Sequence, residues 1–261
     1  MGTWAHVIAV EPPAGALDRA RRRIEQLEAR WSRFLPDSEV TRMNRARGRP
    51  VLVSADTATL VDLAMAGRRG TGGRFDPTLL APLVEAGYDR SPAVATGGGA
   101  GFDPGGIGKG LAADLVVAEL LAEGAAGACV NIGGDLRAEG SGPWTVDVAD
   151  PFDATRPALA RLAFDAGGVA TSSRLGRTWW RDGELRHHLI DPATRRPAST
   201  GVVAVTVLTG DAWRAEVLAK AALLAGGEEA FDVLTAGRAT GLVVTDDGTC
   251  HQAPGLDVFL A

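Results

Sequence analysis

The residues best placed to do chemistry lie between Phe102 and Glu139. The run Phe102-Asp-Pro-Gly-Gly-Ile-Gly-Lys-Gly opens an apolar helix with Asp114 near its start. Cys129-Val-Asn-Ile-Gly-Gly-Asp-Leu follows. A glycine turn leading into a helix offers backbone amides, and Lys109 adds a positive charge. Together they suit an oligophosphate. Two familiar phosphate motifs are excluded. A Walker A loop needs Gly where Asp103 stands and Ser or Thr where Gly110 stands. A dinucleotide fingerprint beginning at Gly106 and Gly108 needs a third glycine where Leu111 stands. From this run alone a plain packing turn, with Lys109 in solvent, stays open.

Composition bounds what surrounds the turn. The chain has 261 residues, 46% hydrophobic and 23% charged, enough to bury a substantial core. Its 34 glycines predict frequent turns and close backbone approaches. A net charge of −5 gives no reason to expect a nucleic-acid partner. Cys129 and Cys250 lack Cys-x-x-Cys spacing and read as two buried, reduced thiols. No apolar run reaches the roughly 18 residues of a membrane span. The opening residues read as a strand rather than a secretory signal. The chain as given is therefore expected in the cytoplasm, or outside it if a leader has been removed.

The elements that must position the turn follow from periodicity. Trp4–Val10 reads as a strand, ended by Pro12 and Pro13. Leu17, Ala20, Ile24, Leu27 and Trp31 recur at helical spacing, and Pro36 breaks that helix. Asp37 or Ser38 can cap the next turn, and Ser54 a helix over Ala55–Gly67. A short helix stops at Gly87, and Ser91–Gly101 reads as a loop. Trp144–Ala149, Ala160–Phe164 and Gly168–Thr171 read as strands. Asp182-Gly183 joins a hairpin whose second arm carries His187 and His188. Val202–Leu208 is β-branched and nearly all apolar, hence central. Helices over Asp211–Leu224 and Glu228–Leu234 come next, then strands over Gly241–Thr245 and Leu256–Leu260. Runs of strands broken by single helices predict a mixed α+β fold.

Read in order, these stretches resemble the ApbE family, the FAD:protein FMN transferases. The resemblance rests on Met1-Gly2-Thr3 and on Ser32-Arg-Phe34-Leu-Pro36-Asp-Ser38-Glu-Val-Thr41-Arg-Met-Asn44. It continues through Phe75-Asp76-Pro77-Thr78, Asp103 to Asp114, and Asn131-Ile-Gly-Gly-Asp135. Ala170-Thr-Ser172 and His188-Leu-Ile-Asp-Pro192 complete it. It implies one domain over residues 1–261, with largely antiparallel sheets and packed helices. It also implies transfer of FMN from FAD to a Thr or Ser hydroxyl of a target protein, with AMP released and magnesium at the pyrophosphate. Met1, Phe34, Arg74, Phe75, Asp76, Asp103, Lys109 and His188 are then expected at FAD, with Lys109 and His188 catalytic. Gly106 is expected to offer its carbonyl to the metal. His187 must face away from His188. An FAD pyrophosphatase and a non-catalytic FAD-binding protein are the alternatives.

One helix departs from the family pattern. The family's remaining metal ligands are Asp and, four residues on, Thr. Here those places hold Glu216 and Lys220. Glu keeps a hard oxygen ligand, but an ammonium has no lone pair to give a cation. Three readings stay open. Lys220 swings away and pairs with Glu216; its ammonium takes the cation's place; or the site holds FAD without transferring FMN.

Overall fold

The computed structural model describes residues 2–88 and 101–261. The chain runs β1 (Ala5–Val10), α1 (Ala16–Trp31), α2 (Glu39–Ala46), α3 (Ala55–Gly70), α4 (Leu80–Glu85) and α5 (Gly108–Ala122). It continues through β2 (Gly127–Ile132), β3 (Asp135–Gly140), β4 (Trp144–Val148), β5 (Ala160–Phe164) and β6 (Gly167–Ser173). Then come β7 (Thr178–Arg181), β8 (Glu184–His187), β9 (Val202–Thr209), α6 (Ala212–Ala225), α7 (Glu229–Ala236), β10 (Thr240–Thr245) and β11 (Cys250–Gln252).

Local chemistry explains most boundaries. Ser38 caps α2 by accepting from the Thr41 amide, and Ser54 caps α3 by accepting from Thr57. Asp182 and Gly183 both adopt positive φ, 53° and 78°, as a tight hairpin turn between β7 and β8 requires. The predicted loop Ser91–Gly101 lies, apart from Gly101, outside the described residues. One predicted strand is corrected. Leu256–Leu260 holds a 3₁₀ turn over Asp257–Phe259, and the last strand is β11. The reading of two buried thiols is corrected as well, because Cys250 is exposed and Cys129 half-buried.

A seven-stranded sheet in the order β1-β2-β3-β6-β9-β10-β11 organises the chain, and all its pairings are antiparallel. This is the expected mixed α+β architecture. Helices α5 and α6 pack on one face, α5 over β2 and β3, α6 over β6 and β9. The β4–β5 hairpin covers the other face with Val148, Leu162 and Phe164. That is why β9 carries apolar residues in both directions. Val205 and Val207 meet Ala215, Ala219 and Ala222 of α6, while Leu208 meets the hairpin. Helix α6 is buried nearly all round, so Glu216 and Lys220, one turn apart, sit on a helix with little access to water.

Candidate flavin site

The two sheet-packed helices hold each other's ends. On α5, Asp114 accepts from the Ala212 and Trp213 amides, both at 2.9 Å, and so caps α6. On α6, Glu216 Oε2 accepts from the Gly110 amide at 2.9 Å within the first turn of α5. Each carboxylate therefore satisfies helix-terminal donors that have no partner within their own helix. Burial raises Asp114 to about 6, against the pull of the two amides. The approach is close enough to require glycine. A Cβ at Gly110 would stand 2.4 Å from the Ala212 carbonyl oxygen.

The turn before α5 is held from outside. Asn44 donates to the Phe102 carbonyl at 2.9 Å and accepts from the Phe102 amide at 2.7 Å. The Asp103 amide donates to Pro77 at 2.7 Å, and Asp103 Oδ1 accepts from Gly105 at 3.1 Å. Arg33, 4% exposed, pairs with Asp103 at 3.1 Å. Its guanidinium also lies 4.2 Å from the Phe34 ring centre and 5.3 Å from that of Tyr88.

A cavity of about 340 Å³ opens where these parts meet. That is within the size of small-molecule sites, roughly 300–1,000 Å³. Phe34, Asp103, Gly106, Lys109, His188, Glu216 and Lys220 all line it. Residues separated by up to 186 positions, Phe34 to Lys220, are thus brought to one cleft.

Inside it, Lys109 does not point into open space. Its ammonium lies 2.5 Å from Glu216 Oε1 and also bonds Asp135. Burial disfavours the ammonium, but the two carboxylates outweigh it and hold Lys109 above its usual pKa. One cation between two carboxylates leaves one negative charge over. Burial, together with repulsion from Glu216, pushes Asp135 up despite the nearby Lys109.

Lys220 sits differently. Its ammonium lies 2.9 Å from where a Gly106 Cβ would stand and 5.9 Å from the centre of the Phe75 ring. Among the described residues it has no carboxylate within ion-pair distance. Burial lowers its pKa, with Asp103 and Glu216 acting the other way. His188 lines the same cavity, and its buried Nδ1 has no hydrogen-bond partner among the described residues. Burial, then the charges of Lys220 and Arg177, bring its pKa down to about 3, so it is neutral at pH 7. His187 faces away as expected. Its Nε2 bonds the Ala198 carbonyl at 2.9 Å, and Nδ1 accepts from Leu189 at 3.3 Å.

Three residues expected at FAD lie apart from the open cavity. Arg74 turns to the surface and pairs with Glu229. Phe75 is 1% exposed and forms the floor beneath Gly106 and Lys220. Asp76 lines a small adjoining recess, where it accepts from Thr78 and Arg68. Met1 lies outside the described residues. Sequence reasoning missed Arg33 and Asp135 as site residues. Arg33 occupies a variable place in its motif. Asp135 ended a recognised motif, Asn131–Asp135, and that was a usable signal.

Comparison with known proteins shows the family and the fold. The ApbE family model matches residues 1–94 and 85–243. The chain belongs to the ApbE family. It is similar to the FAD:protein FMN transferase of Vibrio cholerae serotype O1, 28% identical over 290 residues, covering 95% of this chain and 86% of that one. The FAD:protein FMN transferase of Treponema pallidum is 28% identical over 267 residues, covering 84% and 74%. The solved structure of the flavin transferase ApbE from Vibrio cholerae superposes with a TM-score of 0.82 at 27% identity, covering 100% of this chain and 96% of that one. The apbe protein of Thermotoga maritima, at 24% identity and a TM-score of 0.86, shares the fold.

The ApbE family implies a divalent cation, and the donors of this chain do not fit one. Both Glu216 oxygens are engaged, Oε1 by Lys109 and Oε2 by the Gly110 amide. Lys220 puts an ammonium, which has donors only, beside Gly106. Among the described residues no three His, Cys, Asp or Glu side chains gather as a metal site. A hard cation takes about six or more oxygen ligands, and here one expected donor is replaced by an ammonium and another is already occupied by Lys109 and a backbone amide.

Proposed function

We infer that this chain is an FAD:protein FMN transferase. It moves the FMN portion of FAD onto a hydroxyl of a target protein and releases AMP. The observation that carries this reading is the single cavity shared by Asp103, Gly106, Lys109, His188, Glu216 and Lys220, in a chain of the ApbE family. In the reaction, a Thr or Ser oxygen of the target attacks the FMN-side phosphorus. The bond from that phosphorus to the AMP-side oxygen breaks, a phosphoester forms, and the hydroxyl proton must be removed.

The residues divide this work by their environment. Neutral His188, which lines the cavity, is the group suited to accept the hydroxyl proton. An incoming diphosphate raises its basicity by supplying negative charge nearby. Phe34 is 40% exposed at the cavity and is suited to stack on a flat ring. Lys109, Asp135 and Glu216 form a largely buried triad that ties the start of α5 to β3 and α6. The role of Lys109 is thus positioning first and substrate contact second.

The test is incubation of the protein with FAD and a peptide carrying an acceptor Thr or Ser, followed by peptide mass and AMP quantification. A mass gain equal to FMN with matching AMP is the expected result. AMP and free FMN without peptide modification would instead make the chain an FAD pyrophosphatase.

A further inference from the structure

We propose that the Lys220 ammonium takes the place of a divalent cation at the diphosphate of FAD, so that this chain binds and turns over FAD without metal. The proposal rests on the reading of the cavity as an FAD site.

The charges of the cavity single out Lys220. Lys109 is held between Asp135 and Glu216. Arg33 is paired with Asp103. Among the described residues, two cations lining the cavity lack a carboxylate within ion-pair distance: Lys220, at its floor, and Arg177, exposed at its rim, where it donates to the Tyr88 hydroxyl at 2.7 Å. A diphosphate entering the cleft therefore meets one half-buried and one peripheral positive charge.

The position of Lys220 is fixed by its neighbours. Phe75, buried in the core, lies beneath the ammonium. Gly106 lies beside it, and any side chain at Gly106 would collide with it at 2.9 Å. This excludes a lysine swung away onto the helix surface. It also excludes an i, i+4 pair with Glu216, whose oxygens are engaged elsewhere. The two unusual residues of α6 thus act together. Glu216 reaches Lys109 and the Gly110 amide, and so is withdrawn from the open cleft. Lys220 fills the space beside Gly106 with a positive charge that has no carboxylate of its own. A charge partly withdrawn from solvent in this way interacts with an anion more strongly than it would in bulk water.

Equilibrium FAD affinity, followed by flavin fluorescence on the full chain, tests the proposal. It is measured once with excess EDTA and once with excess magnesium. The expected result is the same affinity in both, within about threefold. Lys220→Met is expected to weaken binding in EDTA by about tenfold or more while leaving the circular dichroism spectrum unchanged. A wild-type affinity that falls about tenfold or more in EDTA overturns the proposal, and needs no variant. So does a folded Lys220→Met protein that binds FAD as the wild type does. FAD binding that depends on magnesium would sink the proposal and leave the transferase reading standing. No FAD binding in either condition would remove both.

Discussion

Lys109 Nζ lies 2.5 Å from Glu216 Oε1, joining the glycine turn at the start of α5 to the middle of the facing helix. The lysine that looks in sequence like a free phosphate ligand is, in the folded chain, the centre of a buried triad with Asp135. Lys109→Met leaves two buried carboxylates facing each other. The expected loss is about 3–5 kcal/mol at pH 7. A carboxylate whose folded pKa is raised destabilises more as pH rises, so the deficit should be smaller at pH 5. Urea denaturation at the two pH values checks this, and a deficit that grows on acidification would contradict it.

Asp114 makes its own contribution to the pH dependence. Its pKa is about 6 in the folded chain against an ordinary 3.8. Between those values the folded protein holds the proton and the unfolded chain releases it, so raising the pH favours unfolding. The stabilisation is fully present below about pH 4 and is lost as pH passes through about 6, an effect of roughly 2–3 kcal/mol. Asp114→Asn cannot titrate. The stability advantage of the wild type over this variant should therefore shrink between pH 4 and pH 6, as read from unfolding midpoints at a series of pH values.

Gly110→Ala tests the close packing of α5 on α6. The added methyl would stand 2.4 Å from the Ala212 carbonyl oxygen and 2.7 Å from the Trp213 amide nitrogen, both backbone atoms. Neither can yield without moving the start of α6. A cost of about 3 kcal/mol or more is expected, with loss of FAD binding because Glu216 and Lys220 move with the helix. A thermal midpoint near that of the wild type would refute the packing argument.

The adjacent histidines should separate cleanly. His188→Ala is expected to lower kcat for FMN transfer by about 10²–10⁴-fold, with FAD affinity changed far less. His187 bonds backbone on both ring nitrogens. His187→Ala should lower stability by about 1–2 kcal/mol and leave kcat near the wild-type value. Transfer kinetics beside thermal unfolding of both variants would show whether the roles are reversed.

Local rules carried much of the fold in the sequence alone. Ser38 and Ser54 cap where their hydroxyls permit, and Asp182-Gly183 turns because both residues tolerate positive φ. The nearly all-apolar Val202–Leu208 is central because both of its faces are covered. Leu256–Leu260 differs from the strand its composition predicts because Leu256 and Phe259 reach the core around a 3₁₀ turn while Val258 stays exposed, and composition does not distinguish that from a strand. For the site, sequence supplied the inventory that meets in the cavity: Asp103, Gly106, Lys109, His188, Glu216 and Lys220. The tertiary structure decided what each of them does. Capping, turning and alternation depend on neighbours a few residues away, so sequence determines them. Which of two lysines is neutralised depends on carboxylates 26 and 107 residues distant from Lys109. Only the packing of α5 against both β3 and α6 places the two carboxylates beside Lys109 and leaves Lys220 facing the cleft.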